Sequence, residues 1–190
     1  ATNMHYECEL AIVVGKPARN VAKADAYDYI AGYTVANDYA VRNYLEGFYR
    51  PNFRIKSRDN CTPIGPWLVT ADEIANPQKL QVQLEVNGTT KQNFNTDDMA
   101  HKIPRCIAWL SSIHPLRPGD IVATGTNHRG LNAFQNGDVV ELEAEGLGKL
   151  TVNIRDNLER TWSRDTRLEH AEKGLDGVAT PQMSGKYAPS

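Results

Sequence analysis

The chain has 190 residues, of which 41% are hydrophobic and 23% are charged, and its formal net charge is −2. This composition fits a globular protein with one sizeable core, and the near-balance of charges predicts neither a nucleic-acid partner nor a membrane surface. We expect neither a membrane span nor a signal peptide, since no sufficiently long apolar segment occurs. The three cysteines follow no metal or disulfide spacing, so reduced thiols in a cytoplasmic protein are expected.

The first half of the chain predicts two strands, two short helices and an irregular wall. The apolar run in 6–14 predicts a strand, and 20–30 predicts a short helix closed by a glycine. The β-branched stretch 33–38 predicts a second strand that leads into a turn. Residues 40–49 carry apolar positions at mixed spacing and predict another short helix, whereas the prolines and glycine of 63–67 predict a wall without regular structure.

The second half of the chain predicts mostly strands. Strict alternation over 80–86 predicts a strand that Asn87-Gly88 closes as a hairpin turn. A helix is predicted from Thr96 onward, because 96–98 form a good helix start and apolar residues then recur at helical spacing. Three further strands are predicted over 121–126, 139–144 and 150–154.

This balance of elements predicts an α+β fold that is mainly β with a few short helices. The regular βα alternation of a doubly wound sheet is missing. Residues 1–158 are predicted to form one strand-rich domain. Residues 159–190 are predicted to be a C-terminal arm laid on a neighbour or a disordered tail, because charge and Gly/Pro/Ser content rise there and periodicity is lost.

Three acidic residues are candidate metal ligands. Glu7 and Glu9 are one residue apart in a predicted strand, so their carboxylates point to one face and repel unless a cation lies between them. Mg²⁺ and Mn²⁺ prefer carboxylate and water oxygens. Taken alone, the pair is better explained as a solvated strand face, and Asp38 as a turn-forming aspartate. Together the three offer one dication three carboxylates and open coordination positions.

A series of motifs in the order of the chain resembles the fumarylacetoacetate hydrolase superfamily over residues 5 to about 155. The motifs are His5-Tyr6-Glu7-Cys8-Glu9-Leu10, Asn37-Asp38-Tyr39-Ala40-Val41-Arg42, Lys56-Ser57-Arg58-Asp59, Pro63-Ile64-Gly65-Pro66-Trp67, Thr124-Gly125-Thr126, Asn136-Gly137-Asp138 and Glu145-Gly146-Leu147-Gly148. Within it, 29–34 and 49–52 are most similar to the bifunctional decarboxylase/isomerases of the homoprotocatechuate pathway. The resemblance implies a β-roll of mixed sheets, usually dimeric or built from paired domains.

The resemblance also implies roles for six residues. It implies that Mg²⁺ or Mn²⁺ is bound by Glu7, Glu9 and Asp38. Lys56 and Arg42 are the implied catalytic residues, and both are implied to contact a 2-oxo acid substrate, whose carboxylate Thr126 helps to hold. Charge stabilisation is the favoured role of Lys56, and a solvated loop lysine is the alternative without its flanking motif.

The chain departs from the family pattern at three places. Asn43 stands where many members carry aspartate, and Asn127-His128 follows Thr126 where a proline is usual. Members carry an upstream lid with a His and a Glu that form a general acid/base pair, and nothing in this chain matches it. We therefore expect that the lid was removed or lies on another chain, or that this chain binds metal without efficient turnover.

Two histidines near these motifs are better explained by ordinary structural positions than by a functional role. His5 is predicted at the surface of a strand, as is its neighbour Tyr6. His128 lies beside Thr126, where it either contacts substrate or is an ordinary loop histidine, and the second interpretation is favoured.

The function implied is a metal-dependent decarboxylase/isomerase of open-chain unsaturated 2-oxo or 2-hydroxy-dienoic diacids in aromatic catabolism. A Lewis-acid cation would stabilise the enolate charge that builds on the 2-oxo oxygen. One alternative is a hydrolase of a C–C bond in acylpyruvate or fumarylacetoacetate-type 1,3-dicarbonyl substrates. A further alternative is a non-catalytic repeat that serves as a partner in a dimer.

Overall fold

The structure is a computed structural model that describes residues 3–42 and 55–175. Its strands are β1 (Met4–His5), β2 (Cys8–Val14), β3 (Ile30–Asn37), β4 (Ala40–Val41), β5 (Ile64–Thr70), β6 (Gln81–Val86), β7 (Thr89–Asn95), β8 (Ile121–Ala123), β9 (Val139–Ala144) and β10 (Gly148–Asn153). The α-helices are α1 (Ile103–Ile113) and α2 (Arg167–Glu172). Short 3-10 helices span Lys23–Tyr29, Ala71–Glu73 and Thr96–Asp98.

Two four-stranded sheets form the body of the domain. Their strand orders are β5-β3-β2-β8 and β10-β9-β6-β7, and β1 and β4 form a separate short pair. Strands β5, β3 and β2 contact β10, β9 and β6 respectively, so the two sheets face each other. The apolar face of β6, formed by Val82, Leu84 and Val86, is buried between them, as the strict alternation of that segment predicts.

The fold class predicted from the sequence is confirmed: the domain is mainly β with few short helices. Every pair between the described strands is antiparallel, whereas the resemblance implied mixed sheets. The six strands predicted from local patterns are all present, with ends shifted by a few residues. The predicted hairpin turn at Asn87-Gly88 joins β6 to β7.

The predicted irregular wall at 63–67 is wrong, because Ile64–Thr70 forms strand β5. Within residues 3–42 and 55–175, this strand lies at the edge of its sheet and pairs only with β3. Its register is irregular between Tyr33 and Val35, opposite the segment that contains Pro66. An edge position and a register irregularity are the places where a sheet tolerates proline.

The helix predicted to begin at Thr96 begins instead at Ile103. Residues 96–98 form only a 3-10 turn, and Pro104 lies in the first turn of α1. A proline fits the first turn of a helix, where its missing N–H has no intrahelical partner in any case, but it breaks a helix interior. Pro104 therefore fixes the start of α1.

Two other predicted helices differ from the structure. The predicted helix 20–30 is a 3-10 helix that ends at Tyr29, and Ile30 already belongs to β3. The predicted helix 40–49 opens with strand β4, Ala40–Val41, and its remainder lies outside the described residues.

The described part of the predicted C-terminal arm, 159–175, contains helix α2 and packs against the domain through the buried side chains of Trp162 and His170. The division at residue 158 stays a prediction, and 176–190 lie outside the described residues. In the part of the chain that is described, no helix is long and apolar enough to cross a membrane.

Candidate metal centre

The pairing of β2 with β3 builds the candidate metal centre. Cys8 at the start of β2 lies opposite Asn37 at the end of β3. The backbone N–H of Asp38 donates to the Glu7 carbonyl over 3.0 Å, and the Glu7 N–H donates to the Asn37 side-chain carbonyl over 2.9 Å. Asp38, 31 residues after Glu7 in the sequence, is thereby fixed beside it, as the antiparallel pairing of the two strands requires.

The three predicted metal ligands converge. One carboxylate oxygen from each of Glu7, Glu9 and Asp38 lies within 4.8 Å of the other two. The two glutamates are buried and the aspartate is half-buried. Buried like charges at this spacing require a counter-charge, and three carboxylate oxygens are a donor set that Mg²⁺ or Mn²⁺ accepts. The residues present therefore fit the predicted ion.

Among the residues that the structure describes, two cations lie against this triad. The Lys56 ammonium donates to Glu7 Oε2 at 2.7 Å, to Asp38 Oδ2 at 2.9 Å and to the Asp38 carbonyl at 3.2 Å. The Arg42 guanidinium pairs with the other carboxylate oxygen of Glu7. Both oxygens of Glu7 are thus bound by cations, and Lys56 bridges Glu7 to Asp38.

Glu9 is held differently. Its Oε2 accepts a hydrogen bond from the backbone N–H of Gly125 over 2.7 Å. Burial raises the pKa of Glu9 to about 7, the Gly125 hydrogen bond opposes the shift, and the charges of Asp38 and Glu7 add to it. Without a metal ion, Glu9 thus keeps its proton up to near neutral pH.

The ammonium of Lys56 stays charged. Burial alone would lower the pKa of Lys56, but the neighbouring carboxylates of Glu7 and Asp38 raise it above its ordinary value. A general base at this position would need a depressed pKa. The geometry therefore favours the charge-stabilising role that was favoured from the sequence.

The raised pKa of Glu9 predicts a pH-dependent metal affinity. The folded metal-free protein holds a proton on Glu9 up to about pH 7, whereas the unfolded chain releases it near the ordinary value of 4.5. The free energy of unfolding of the metal-free protein should therefore fall as the pH rises between these values. An incoming Mn²⁺ must displace that proton, so its affinity should rise about tenfold per pH unit below pH 7 and level off above it.

Calorimetry of Mn²⁺ binding in buffers of different ionisation enthalpy measures this effect. About one proton should be released per ion near pH 6, and far fewer near pH 8. An affinity that does not change between these pH values would contradict a protonated Glu9 in the metal-free protein. The Glu9→Gln variant, which has no proton to release, is the matched control.

A buried glutamine, Gln92, holds the loop next to Glu9 in place. The Gln92 side-chain amide donates to Thr126 Oγ1 over 2.9 Å and to the Asn127 carbonyl over 2.6 Å, while its oxygen accepts from the Cys8 N–H over 3.1 Å. The Thr126 hydroxyl in turn donates to the Cys8 carbonyl over 2.7 Å. The loop that carries Gly125 is therefore tied to the start of β2, which keeps its N–H directed at Glu9.

Five of the six predicted site residues meet at one place, and the sixth lies at its edge. The five are Glu7, Glu9, Asp38, Lys56 and Arg42. Thr126 lines a cavity of about 340 Å³ beside the centre, but its hydroxyl proton is already donated to a backbone carbonyl. The roles of all six in binding metal or substrate stay predictions.

The surface placement predicted for His5 and Tyr6 is wrong, since both side chains are fully buried. The Tyr6 hydroxyl donates to the Gly130 carbonyl over 2.8 Å. Neither ring nitrogen of His5 has a hydrogen-bond partner among the described residues. Burial, reinforced by the charge of Arg42, lowers the pKa of His5 well below its ordinary value, so this imidazole is neutral.

Sequence reasoning missed two residues that position the triad, Asn37 and Gln92. Asn37 belongs to a quoted motif, so its place next to Asp38 was a usable signal. Gln92 carried no signal, because it is one polar residue in the polar strand β7.

Comparison with known proteins identifies the family. Residues 1–155 match the fumarylacetoacetate (FAA) hydrolase C-terminal family, so the chain belongs to this family. It is 50% identical over 151 residues to the 4-hydroxyphenylacetate degradation bifunctional isomerase/decarboxylase of Salmonella dublin. That alignment covers 80% of this chain and 35% of the relative, so the chain spans about a third of the relative's length.

Two solved structures are similar to the chain. The 2-hydroxyhepta-2,4-diene-1,7-dioate isomerase of Mycobacterium marinum is 37% identical with a TM-score of 0.76, and the match covers 83% of this chain and 60% of that one. The maleylpyruvate hydrolase of Sphingobium sp. SYK-6, solved with a manganese(II) ion and pyruvate, is 37% identical with a TM-score of 0.73. That match covers 80% of this chain and 55% of the hydrolase.

Proposed function

We propose that the chain is the metal-binding part of a decarboxylase/isomerase that acts on open-chain unsaturated 2-oxo diacids in aromatic catabolism. The observation that carries the proposal is the convergence of Glu7, Glu9 and Asp38 beside Lys56. The identity to an isomerase/decarboxylase of 4-hydroxyphenylacetate degradation supports the substrate class.

The three carboxylates would hold Mg²⁺ or Mn²⁺, with the oxygen ligands that both ions prefer. The bound ion would supply a Lewis acid that stabilises negative charge on the 2-oxo oxygen of the substrate. Glu9 would have to be ionised, and the Gly125 N–H favours that state by donating to its carboxylate. Arg42 would fix the orientation of Glu7 through their ion pair.

Lys56 would act on the substrate after an ion has joined the carboxylates. Its ammonium lies between Glu7 and Asp38, where an incoming dication would compete with it for the same oxygens. If the ion took one of these carboxylate oxygens, the ammonium of Lys56 would face the substrate at the edge of the triad. There it would stabilise the negative charge that develops as the substrate loses CO₂ or a proton.

A C–C bond hydrolase is the second candidate. The similarity to a maleylpyruvate hydrolase solved with manganese(II) and pyruvate favours it. Hydrolysis needs a water molecule and a base that activates it, whereas decarboxylation needs neither. A non-catalytic repeat is the weakest candidate, because such a repeat would be expected to lose the carboxylates that are all present here.

A spectrophotometric panel tests the proposal. Purified chain would be incubated with unsaturated 2-oxo diacids, oxaloacetate and acylpyruvates, with and without Mn²⁺. Mn²⁺-dependent release of CO₂ or a shift of the double bond is the expected result, and Asp38→Asn should abolish it. Cleavage of acylpyruvates to pyruvate would identify a hydrolase instead, and turnover that does not depend on the metal would contradict both candidates.

We also propose that the protein is a homodimer or pairs with a similar domain, and that it resides in the cytoplasm. The edge strand β5 exposes Ile64, Trp67 and Leu68, and an apolar patch of this kind is typical of a protein interface. Light scattering coupled to size exclusion measures the oligomeric state.

A further inference from the structure

The pairing that builds the candidate metal centre continues through the short strands β1 and β4 without a change of register. Three successive residue pairs follow one another there, and they are Glu7 with Asp38, His5 with Ala40, and Asn3 with Arg42. The first and the third are joined by backbone hydrogen bonds of 3.0 and 2.8 Å, and the second belongs to the β1–β4 pairing. His5 therefore lies between the pair that carries two triad members and the pair that carries Arg42.

His5 and Glu7 point to the same face of these strands. Tyr6, which lies between them, is part of the hydrophobic core, as are Cys8 and Leu10 further along the chain. Because side chains alternate along an extended chain, the residues on either side of Tyr6 point away from the core. The imidazole of His5 is therefore directed to the face that carries the carboxylate triad.

The ion pair between Arg42 and Glu7 has to pass over the position of His5. Two residues of a strand advance by about 6.6 Å, so the backbones of Arg42 and Glu7 are about 13 Å apart along the strand direction. Their side chains span this distance together, since the guanidinium binds a carboxylate oxygen of Glu7. The two side chains therefore meet over the intervening pair, where Ala40 is small and His5 supplies the large side chain.

The polar groups that meet there have no hydrogen-bond partner among the described residues. The Nε atom of Arg42 is buried without an acceptor, and both ring nitrogens of the fully buried His5 are without a partner. Folded proteins seldom leave a buried donor and a buried acceptor unpaired. A small rotation of the imidazole, or one water molecule between the two groups, would satisfy both.

The two groups are complementary as donor and acceptor. A guanidinium only donates hydrogen bonds, whereas a neutral imidazole keeps one ring nitrogen as an acceptor. The Arg42 guanidinium is already paired with Glu7 through its terminal nitrogen, so its Nε–H is the donor left over on the His5 side. A second fixed point on the guanidinium would hold its plane, which one contact alone does not.

We propose that a ring nitrogen of His5 accepts the Nε–H of Arg42, directly or through one buried water molecule, and so holds the guanidinium against Glu7. His5 would be a positioning residue, because it acts on the metal centre only through Arg42. With one oxygen of Glu7 fixed by Arg42, the other stays beside Asp38, where Lys56 now bridges the two carboxylates and an ion would bind. The effect on metal binding rests on the proposed function, whereas the contact between His5 and Arg42 does not.

NMR spectroscopy of the isotope-labelled, metal-free chain tests the contact itself. An NOE should connect the Nε–H proton of Arg42 with a ring proton of His5, and this Nε–H should exchange slowly with solvent. Arg42→Lys, which has no Nε–H, assigns the resonance by its loss. An Nε–H proton that exchanges rapidly, or that shows no NOE to the His5 ring, would overturn the proposal.

A double-mutant cycle tests the consequence for the metal centre. His5→Phe should lower the affinity for Mn²⁺ about tenfold in calorimetry, because Arg42 would no longer fix the orientation of Glu7. In the Arg42→Lys background, which keeps a cation but lacks the Nε–H, the same change at His5 should have no further effect. An unchanged affinity in His5→Phe, or an equal loss in both backgrounds, would overturn the proposal.

Three further variants separate positioning from packing. His5→Asn and His5→Gln keep an acceptor oxygen at two different reaches, so at least one of them should retain most of the Mn²⁺ affinity. Thr34→Val is the matched control, since it removes another buried group that lacks a described partner, and it should change neither the affinity nor the NOE. If both amide variants bind Mn²⁺ as weakly as His5→Phe, the proposal fails. Should His5→Phe not fold, the amide variants and the NOE in the unchanged chain decide.

These readouts allow the inference and the proposed function to fail separately. If the NOE and the cycle agree with the positioning role but no 2-oxo acid is turned over, the proposed reaction fails and the role of His5 stands. If the chain binds no Mn²⁺, the proposed function fails and the NOE alone decides the contact. If Mn²⁺-dependent turnover is found and His5→Phe binds the ion as tightly as the unchanged chain, the role of His5 fails and the proposed function stands.

Discussion

Replacing Glu9 with glutamine should lower the affinity for Mn²⁺ by at least about 100-fold, because glutamine keeps the shape of the side chain but cannot supply a charged ligand. The same change should stabilise the metal-free protein at alkaline pH. Burial and two neighbouring carboxylates already make the charged form of Glu9 costly, as its pKa of about 7 indicates. Calorimetry and thermal denaturation near pH 8 measure the two effects.

The opposite signs of these effects separate a metal ligand from a structural residue. Glu143, which is exposed on β9, offers the matched control, and Glu143→Gln should change neither property. An unchanged Mn²⁺ affinity in Glu9→Gln would remove Glu9 from the site. A marked loss of stability in the metal-free variant would mean that Glu9 supports the fold.

Replacing Lys56 with alanine should reduce turnover by about 100-fold or more while changing Mn²⁺ affinity far less. The ammonium would stabilise charge on the reacting substrate, whereas the ion would be held by the three carboxylates. In the metal-free protein Lys56 bridges Glu7 and Asp38, so its removal should also raise the mutual repulsion of these carboxylates. The metal-free variant should therefore be less stable, and Mn²⁺ should restore it.

Steady-state kinetics at saturating Mn²⁺ and calorimetry of metal binding measure the two quantities on the same preparation. Lys149→Ala is the control, since Lys149 pairs with glutamates of β9 on the other sheet. Equal losses of turnover and of metal affinity would make Lys56 a structural residue. Full turnover in Lys56→Ala would exclude it from the reaction.

The strands could be predicted because each carries its own signal. Alternation and a turn dipeptide predict β6 and its hairpin, and an apolar run predicts β2. Strand β5 could not be predicted, since the prolines in 63–67 argue against a strand and only its pairing with β3 makes it one. The start of α1 could not be placed from the capping sequence at Thr96, because Pro104 fits only the first turn of a helix and α1 therefore begins at Ile103.

The composition of the candidate site was easier to predict than its arrangement. The spacing of Glu7 and Glu9 requires no long-range contact, but the place of Asp38 depends on the register between β2 and β3. The resemblance implies that Thr126 helps to hold the substrate carboxylate, but it gives no sign that the Thr126 hydroxyl bonds Cys8 and Gln92. Such partners are distant in sequence, so no local pattern reveals them.

The structure of the C-terminal segment 159–175 was even harder to predict from local sequence patterns. Its rise in charge predicted an arm or a disordered end, and composition alone gave no reason to expect α2. The ion pair between Arg164 and Asp138 and the burial of Trp162 fix it to the domain. The place of this segment therefore depends on the tertiary structure alone.

An anomalous difference map from crystals soaked in Mn²⁺ would decide whether the three acidic side chains bind one ion. The account predicts a single strong peak with a carboxylate oxygen of each of Glu7, Glu9 and Asp38 about 2.1 Å away. A map with no peak among these carboxylates, or with the ion bound elsewhere on the chain, would contradict it.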